Sequence, residues 1–293
     1  AKTGKLFGLN SSGWAPKALT IDYFKSKNVT QMPESGIDTV TVPGAVEGWN
    51  KLHERFGRMV WKDIFAPAIY YAKNGFAVQE MISMDWRSSE TKLKNDPESR
   101  RVFLLHDQPP RMGEVFKNPD LAKTLGLLAE AGPRAFYGGE IAKAILETSR
   151  ELGGTMTAED LEDFAAEWVE PIAVTYRGWK VYELPPNGQG MAALEMLNIL
   201  EQFSPAKAGP LSAEELHKRI EAMKLAYADL ARYNADPRFA NVPVAGLLSK
   251  DYARQRAQLI NPEKANCDTG AGNPPSSDTT YLTVVDRMAI SSR

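Results

Sequence analysis

From Val46 to Leu259 one pattern recurs: apolar residues spaced three or four apart, with glycine or proline closing the runs. That period lines one side of an α-helix, and glycine or proline stops it. Val46, Trp49, Leu52 and Phe56 form such a stripe, ending at Gly57. A second helix is expected over 62–74, ending at Gly75. Asn118-Pro119 reads as a cap and a first-turn proline, with Leu121, Leu125 and Leu128 on one face and Gly132-Pro133 behind them. Further helices are expected over 16–27, 139–152, 191–203 and 250–259. Thr157 to Asp160 and Ser212 with Glu215 are capping patterns, the second opening a long helix that carries Leu216, Ile220, Met223, Tyr227 and Leu230. Residues 84–112 are polar, charged and proline-containing, and give no clear period.

Strand signals are few. Thr3-Gly4 reads as a turn running into a strand ending near Asn10, and 39–42 as a short extended piece before Pro43-Gly44, where Pro43 suits a first helical position. Ile172, Val174 and Tyr176 alternate, Arg177-Gly178 turns, and 180–184 returns, which makes a hairpin. The loop-like stretch 261–278 leads into a strand carrying Thr280, Leu282 and Val284. With no internal repeat and no linker, the expectation is a helix-rich α+β fold in one domain, 1–293.

Composition narrows the function. Of 293 residues, 43% are apolar and 25% charged, an ordinary soluble composition with enough length for a substantial core. The net charge of −2 speaks against a nucleic-acid binder working by bulk electrostatics and against a polybasic membrane-surface protein. No run approaches the ~18 apolar residues of a membrane span. Cys267 is the one cysteine, so neither an internal disulfide nor a thiolate zinc site is expected. Residues 1–5 carry no apolar signal-peptide core.

Candidate chemistry is sparse. His53, His106 and His217 lack metal-ligand spacing, so no metal or cofactor is expected; His53 and His217 fall on helices as surface or packing residues. Carboxylates are scattered through the helices and read as solvated. Gly188-Gln189-Gly190 with Ala193 is a loose dinucleotide fingerprint, weakened by Pro185-Pro186 and by the lack of a following acidic residue; it reads as a glycine loop at a helix start. Asp278 followed by Thr279-Thr280 is the more informative feature. Two β-branched threonines can simply open a strand. Alternatively, a chain cut between Asp278 and Thr279 would give Thr279 an α-amine, with a pKa near ~8, as the base for its own hydroxyl.

Several ordered segments resemble the gamma-glutamyltransferase (gamma-glutamyltranspeptidase) family and its cephalosporin-acylase-like relatives. Thr41-Val42-Pro43-Gly44-Ala45-Val46-Glu47-Gly48-Trp49 resembles a V-P-G-x-V-x-G signature. Ala66-Pro67-Ala68-Ile69 with Ala72-Lys73-Asn74-Gly75-Phe76, Phe136-Tyr137-Gly138-Gly139, and Gly153-Gly154 with Thr157 to Leu161 also match. So do Tyr176-Arg177-Gly178 before Pro185-Pro186, Ala226-Tyr227-Ala228-Asp229, and Asp236-Pro237. Ser277-Asp278-Thr279-Thr280, then Val284-Val285-Asp286, resembles the family's processing site.

The resemblance implies an N-terminal-nucleophile (Ntn) hydrolase, a four-layer αββα sandwich, here without most small-subunit strands. It implies a zymogen that cleaves itself between Asp278 and Thr279 into a large part, 1–278, and the start of a small subunit, 279–293. The two would form a heterodimer with Thr279 as nucleophile. The implied reaction moves a gamma-glutamyl or related acyl group from a small amide such as glutathione to water or an amine. It implies a periplasmic or extracellular location, although no signal segment is visible. Two departures stand out. Ser12 occupies the place of the family's carboxylate-binding arginine, and a serine lacks that bidentate charged contact. The small subunit is expected to run far beyond Arg293, and 287–293 does not resemble its continuation. An incomplete gene product, or one part of a longer protein, is therefore expected. A truncated, inactive remnant that at most binds a partner, and a cephalosporin-type acylase, are the alternative readings.

Overall fold

The computed structural model describes residues 4–275, so Asp278, Thr279 and the expected strand after them lie outside the described residues. The chain divides into two compact units: residues 11–166, and the terminal segments 1–10 and 167–293 together. It opens with β1 (Gly8–Asn10) and enters the first of these units. There follow α1 (Ile21–Ser26), a 3-10 turn (Ile37–Thr39), α2 (Ala45–Phe56), α3 (Trp61–Asn74), β2 (Phe76–Ala77), α4 (Glu80–Ser88), α5 (Glu90–Lys94) and α6 (Pro97–Phe103). Then come β3 (Val115–Phe116), α7 (Pro119–Ala131), α8 (Pro133–Tyr137), α9 (Glu140–Glu151) and α10 (Ala158–Glu162). The chain returns as β4 (Glu167–Val169), β5 (Ile172–Tyr176), β6 (Trp179–Glu183), α11 (Gly190–Leu200), α12 (Ala213–Tyr233), α13 (Val244–Leu247) and α14 (Lys250–Ala257).

In the 11–166 unit, α3 lies along α7, and Val46, Phe65 and Leu128 are buried between α2, α3 and α7 with Trp61, Ile69 and Phe136 against them. A second cluster joins Val42, Ala142, Leu161 and Phe164, with Trp14 edge-on to Phe164 at 5.3 Å. Tyr137 packs against both clusters. The caps explain the helix starts. Asn118 accepts from Leu121 N at 2.9 Å, and Thr157 and Asp160 form a complete capping box.

In the other unit, β1 pairs antiparallel with β4, Gly8 opposite Val169, and β5 with β6 through a turn at Arg177-Gly178, both at positive φ. The strands of the described residues pair two by two. Helix α11 packs on α12, α14 and β5. Ile199, Ala222, Leu225, Ala253 and Ala257 form one core, and Met191, Leu247 and Tyr252 another.

Local chemistry displaced several expectations. The helix expected over 16–27 begins only at Ile21, because Thr20 caps it by accepting from Tyr23 N at 3.2 Å. Of the extended piece expected over 39–42, Thr39 ends a 3-10 turn, Val40 is extended, and no strand forms. Pro43 precedes α2, whose cap is Gly44. Residues 84–112 hold the end of α4, then α5 and α6; Asp96 caps α6 by accepting from Ser99 N at 2.7 Å, ahead of Pro97. Gly132-Pro133 ends α7 but also opens α8, since proline suits a first helical position. Half of the expected Ser212/Glu215 box forms: Ser212 accepts from Glu215 N, while the Glu215 carboxylate turns to Ala206 N at 3.0 Å.

Candidate active site

Within the 11–166 unit, the 41–49 motif and Asp160 meet at one loop, residues 11–17. Ser11 Oγ donates to Gly44 O at 2.6 Å, and Val42 N donates to Trp14 O at 2.9 Å. The approach is close because the glycines lack side chains. A Cβ at Gly13 would overlap Val42 O, one at Gly44 would overlap Ser11 O, and one at Gly48 would sit 2.6 Å from Ser11 Oγ. The glycines of the 41–49 signature are thus the seat of the loop. Tyr137 locks the same turn: its hydroxyl donates to Pro43 O at 2.7 Å and accepts from Glu47 N at 3.1 Å. Burial pushes the Tyr137 pKa up to about 12, so it remains a donor.

Asp160 holds the far end of the loop. Its Oδ1 accepts from Lys17 N at 2.9 Å, and its Oδ2 accepts from Thr157 N and Thr157 Oγ1, both at 2.8 Å. Burial alone would raise the Asp160 pKa, but these donors hold it below the usual carboxylate range. The Lys17 ammonium bridges Glu159 and Asp163 on the surface. On the loop so fixed, Ser12 is exposed.

The 167–275 unit holds a buried polar cluster that the sequence did not announce. Glu195, Asp229, Tyr252 and Arg256 are each at most 3% exposed. Asp229 Oδ2 is 3.0 Å from Arg256 Nε and accepts from the Tyr252 hydroxyl at 2.8 Å. Asp229 Oδ1 accepts from Gly272 N at 2.6 Å. Neither Glu195 oxygen accepts from a described donor, and burial, followed by the neighbouring Asp229 carboxylate, pushes its pKa up to about 10. Glu195 is therefore a neutral carboxylic acid at neutral pH, with its proton directed at Asp229. These carboxylates had been read as solvated. The available signals were that Glu195 is the one charged residue in the apolar helix α11, and that Asp229 ends the Ala226-Tyr227-Ala228-Asp229 motif.

Other candidates resolve into structural roles. His53 Nδ1 accepts from Trp61 Nε1 at 3.1 Å, and His217 Nε2 contacts Asn261 O at 2.7 Å. His106 lies at positive φ beside Asp107, which forms a two-bonded pair with Arg100. At the Gly188-Gln189-Gly190 loop, a Cβ on Gly190 would lie 2.6 Å from Glu183 Oε2. A carboxylate occupies the approach that a dinucleotide phosphate would need. Among the described residues no cluster of metal-ligating side chains is present, and no helix is long and apolar enough to cross a membrane.

Comparison with known proteins agrees with these motifs. A profile of the gamma-glutamyltranspeptidase family matches residues 1–292. The glutathione hydrolase-like YwrD proenzyme of Bacillus subtilis (strain 168) is 36% identical over 278 residues, covering 94% of this chain and 52% of that protein. The acylase ACY 1 proenzyme of Pseudomonas sp. (strain V22) is 37% identical over 255 residues, covering 86% and 46%. The crystal structure of Helicobacter pylori gamma-glutamyltranspeptidase matches with a TM-score of 0.85 at 27% identity, covering 95% of this chain and 82% of that one. That of cephalosporin acylase from Bacillus halodurans matches at 0.82 and 40% identity, covering 88% and 49%. The chain spans about half the length of these curated relatives. Its mixed helical and stranded fold is that of these transpeptidase and acylase structures. With a profile match to residues 1–292, and with the family's glycine and aspartate motifs seating loop 11–17 and Tyr137 locking the turn beneath it, the chain belongs to the gamma-glutamyltranspeptidase family.

Proposed function

We propose that the protein containing this chain is a self-processing threonine amidohydrolase or acyltransferase. In this reading 1–278 is the large-subunit part of one Ntn-hydrolase domain, and Thr279 begins the small subunit. In this reading strands of the small subunit complete the four-layer αββα sandwich. The observation that carries the reading is the match of the family profile to residues 1–292, across both the motifs around loop 11–17 and Asp278-Thr279.

Maturation would begin with attack of Thr279 Oγ on the Asp278 carbonyl carbon. The Oγ–C bond forms, the C–N bond breaks, and the hydroxyl proton passes to the departing nitrogen, which becomes the Thr279 α-amine. Water then adds to the ester carbon. It leaves a carboxylic acid on Asp278 and returns a proton to Thr279 Oγ. In turnover the α-amine takes the hydroxyl proton as Oγ attacks a substrate amide, and delivers it to the leaving amine. Water or an acceptor amine then releases the acyl group.

Acyl specificity is read from Ser12. A serine offers a neutral, single hydrogen bond where an arginine would clamp an α-carboxylate. This admits, beside a gamma-glutamyl group such as that of glutathione, an acyl group without that charge; a cephalosporin-type acylase is the second reading. A periplasmic or extracellular site of action fits the family reading.

An intact-mass spectrum of the purified precursor tests the core of the proposal. A fragment ending at Asp278 with a partner starting at Thr279, both lost in Thr279→Ala, is expected. An uncut wild-type precursor would overturn it. Turnover of a gamma-glutamyl anilide against a butyryl anilide, whose acyl group carries no carboxylate, separates the two acyl readings.

A further inference from the structure

Besides a bond from Arg256 Nη2 to Leu225 O on α12, the outward hydrogen bonds of the buried cluster in the 167–275 unit lead to one stretch of chain. Asp229 holds Gly272 N at 2.6 Å, Arg256 Nη2 donates to Gly270 O at 3.0 Å, and the Tyr233 hydroxyl donates to Gly272 O at 2.6 Å. Upstream, Glu221 accepts from Asn266 N at 3.1 Å, and Lys224 Nζ donates to Asn266 O at 2.6 Å. The stretch has no helix or strand of its own, so its backbone is placed by these side chains.

Two glycines shape its seat. A Cβ on Gly272 would overlap the Tyr252 hydroxyl, and one on Gly246 would overlap Pro275 O, with Pro274 Cβ at 3.3 Å. The stretch therefore lies flush against α13 and α14. A buried aspartate–arginine pair is an inefficient way to stabilise a core, since both ions lose water and apolar groups of similar size often serve as well. What the pair adds is direction: its spare donors and acceptors fix one backbone conformation of 270–272.

We propose that the Asp229–Tyr252–Arg256 cluster is a positioning device for self-cleavage, anchoring the chain just ahead of the Asp278–Thr279 bond. The inference rests on the proposed maturation at that bond. Pro275 stands three residues before Asp278, which bounds their Cα separation at roughly 11 Å. Anchoring so close limits where the Asp278–Thr279 bond can lie relative to the protein groups that would act on it, as a positioned intramolecular reaction requires. None of the anchoring residues touches the reacting atoms. They act through the backbone of 270–275.

The test uses the natural full-length precursor and follows the rate of self-cleavage by intact mass. Gly272→Ala, which pushes the stretch off Tyr252, is expected to slow cleavage about tenfold or more. Tyr252→Phe, which takes the hydroxyl donor away from Asp229 Oδ2, is expected to slow cleavage too. Asp229→Asn is expected to slow cleavage as well. Once matured, the Gly272→Ala protein should turn over substrate, per cleaved molecule, within about twofold of wild type. A purely structural role would lower both. Cleavage of Gly272→Ala or of Tyr252→Phe at the wild-type rate, or an equal loss of turnover in the matured Gly272→Ala protein, would overturn the inference while leaving the maturation reading intact. A wild-type precursor that stays uncut would overturn both.

Discussion

The carboxylate of Asp160 accepts the backbone N–H of Lys17 at 2.9 Å across 143 residues of sequence, while its other oxygen completes the capping box of α10. One side chain thus ties the loop carrying Ser12 to a helix start. Asp160→Asn keeps the size but turns one oxygen into a donor facing Thr157 N. We expect a loss of about 1–3 kcal/mol in urea unfolding. The Asp160 pKa is lowered on folding, so its contribution is present above the ordinary carboxylate pKa and fades as pH falls through the lowered one. The wild-type advantage should therefore shrink below about pH 4. A difference that is constant from pH 7 to pH 2 would contradict this account.

Tyr137→Phe removes a hydroxyl that serves two backbone groups at once, Pro43 O and Glu47 N. Both are left without that partner beside a packed aromatic ring, which should cost about 1–3 kcal/mol. Because the ring remains, Tyr137→Leu should cost more. Equal stability of wild type and Tyr137→Phe would show that the hydroxyl does not hold this turn.

Glu195 predicts a pH dependence of the opposite sign. Its pKa rises from the ordinary 4.5 to about 10 on folding. Across that window the folded chain keeps a proton that the unfolded chain has released, so stability falls as pH rises, by up to about 1.4 kcal/mol per unit. Glu195→Gln stays neutral in both states and can still donate to Asp229. Its melting temperature is expected to gain on wild type steadily from pH 5 to pH 9. Parallel curves for the two proteins would mean that Glu195 is not held neutral.

Ser12 is exposed on its loop, which leaves room for a longer side chain. In the mature protein Ser12→Arg should raise kcat/KM for a gamma-glutamyl substrate about tenfold or more, the scale of one charge-assisted hydrogen-bonded contact. Turnover of a neutral acyl substrate should not improve. A gain on both substrates, or on neither, would detach Ser12 from carboxylate recognition.

Sequence alone determined the elements whose causes are local. Helices α2, α3, α7, α9 and α12 follow from apolar period and from caps such as Asn118, Thr157 and Ser212, and the β5–β6 hairpin from alternation around Arg177-Gly178. The family motifs were equally legible, since glycines and prolines mark the chain wherever they stand. What those motifs do was decided only in three dimensions. Gly44 and Asp160 are far apart in sequence, yet both hold one loop, and Tyr137 locks the turn that carries Gly44. Short elements such as α5, α6, β2 and β4 escaped notice because two to seven residues carry too little period to read. Glu195 and Asp229 looked like any helical carboxylates, because a side chain's water is removed by neighbours from other elements: Tyr252 and Arg256 on α14, and Gly272 beyond it. Burial, and the pairing that makes it tolerable, belong to the packed chain.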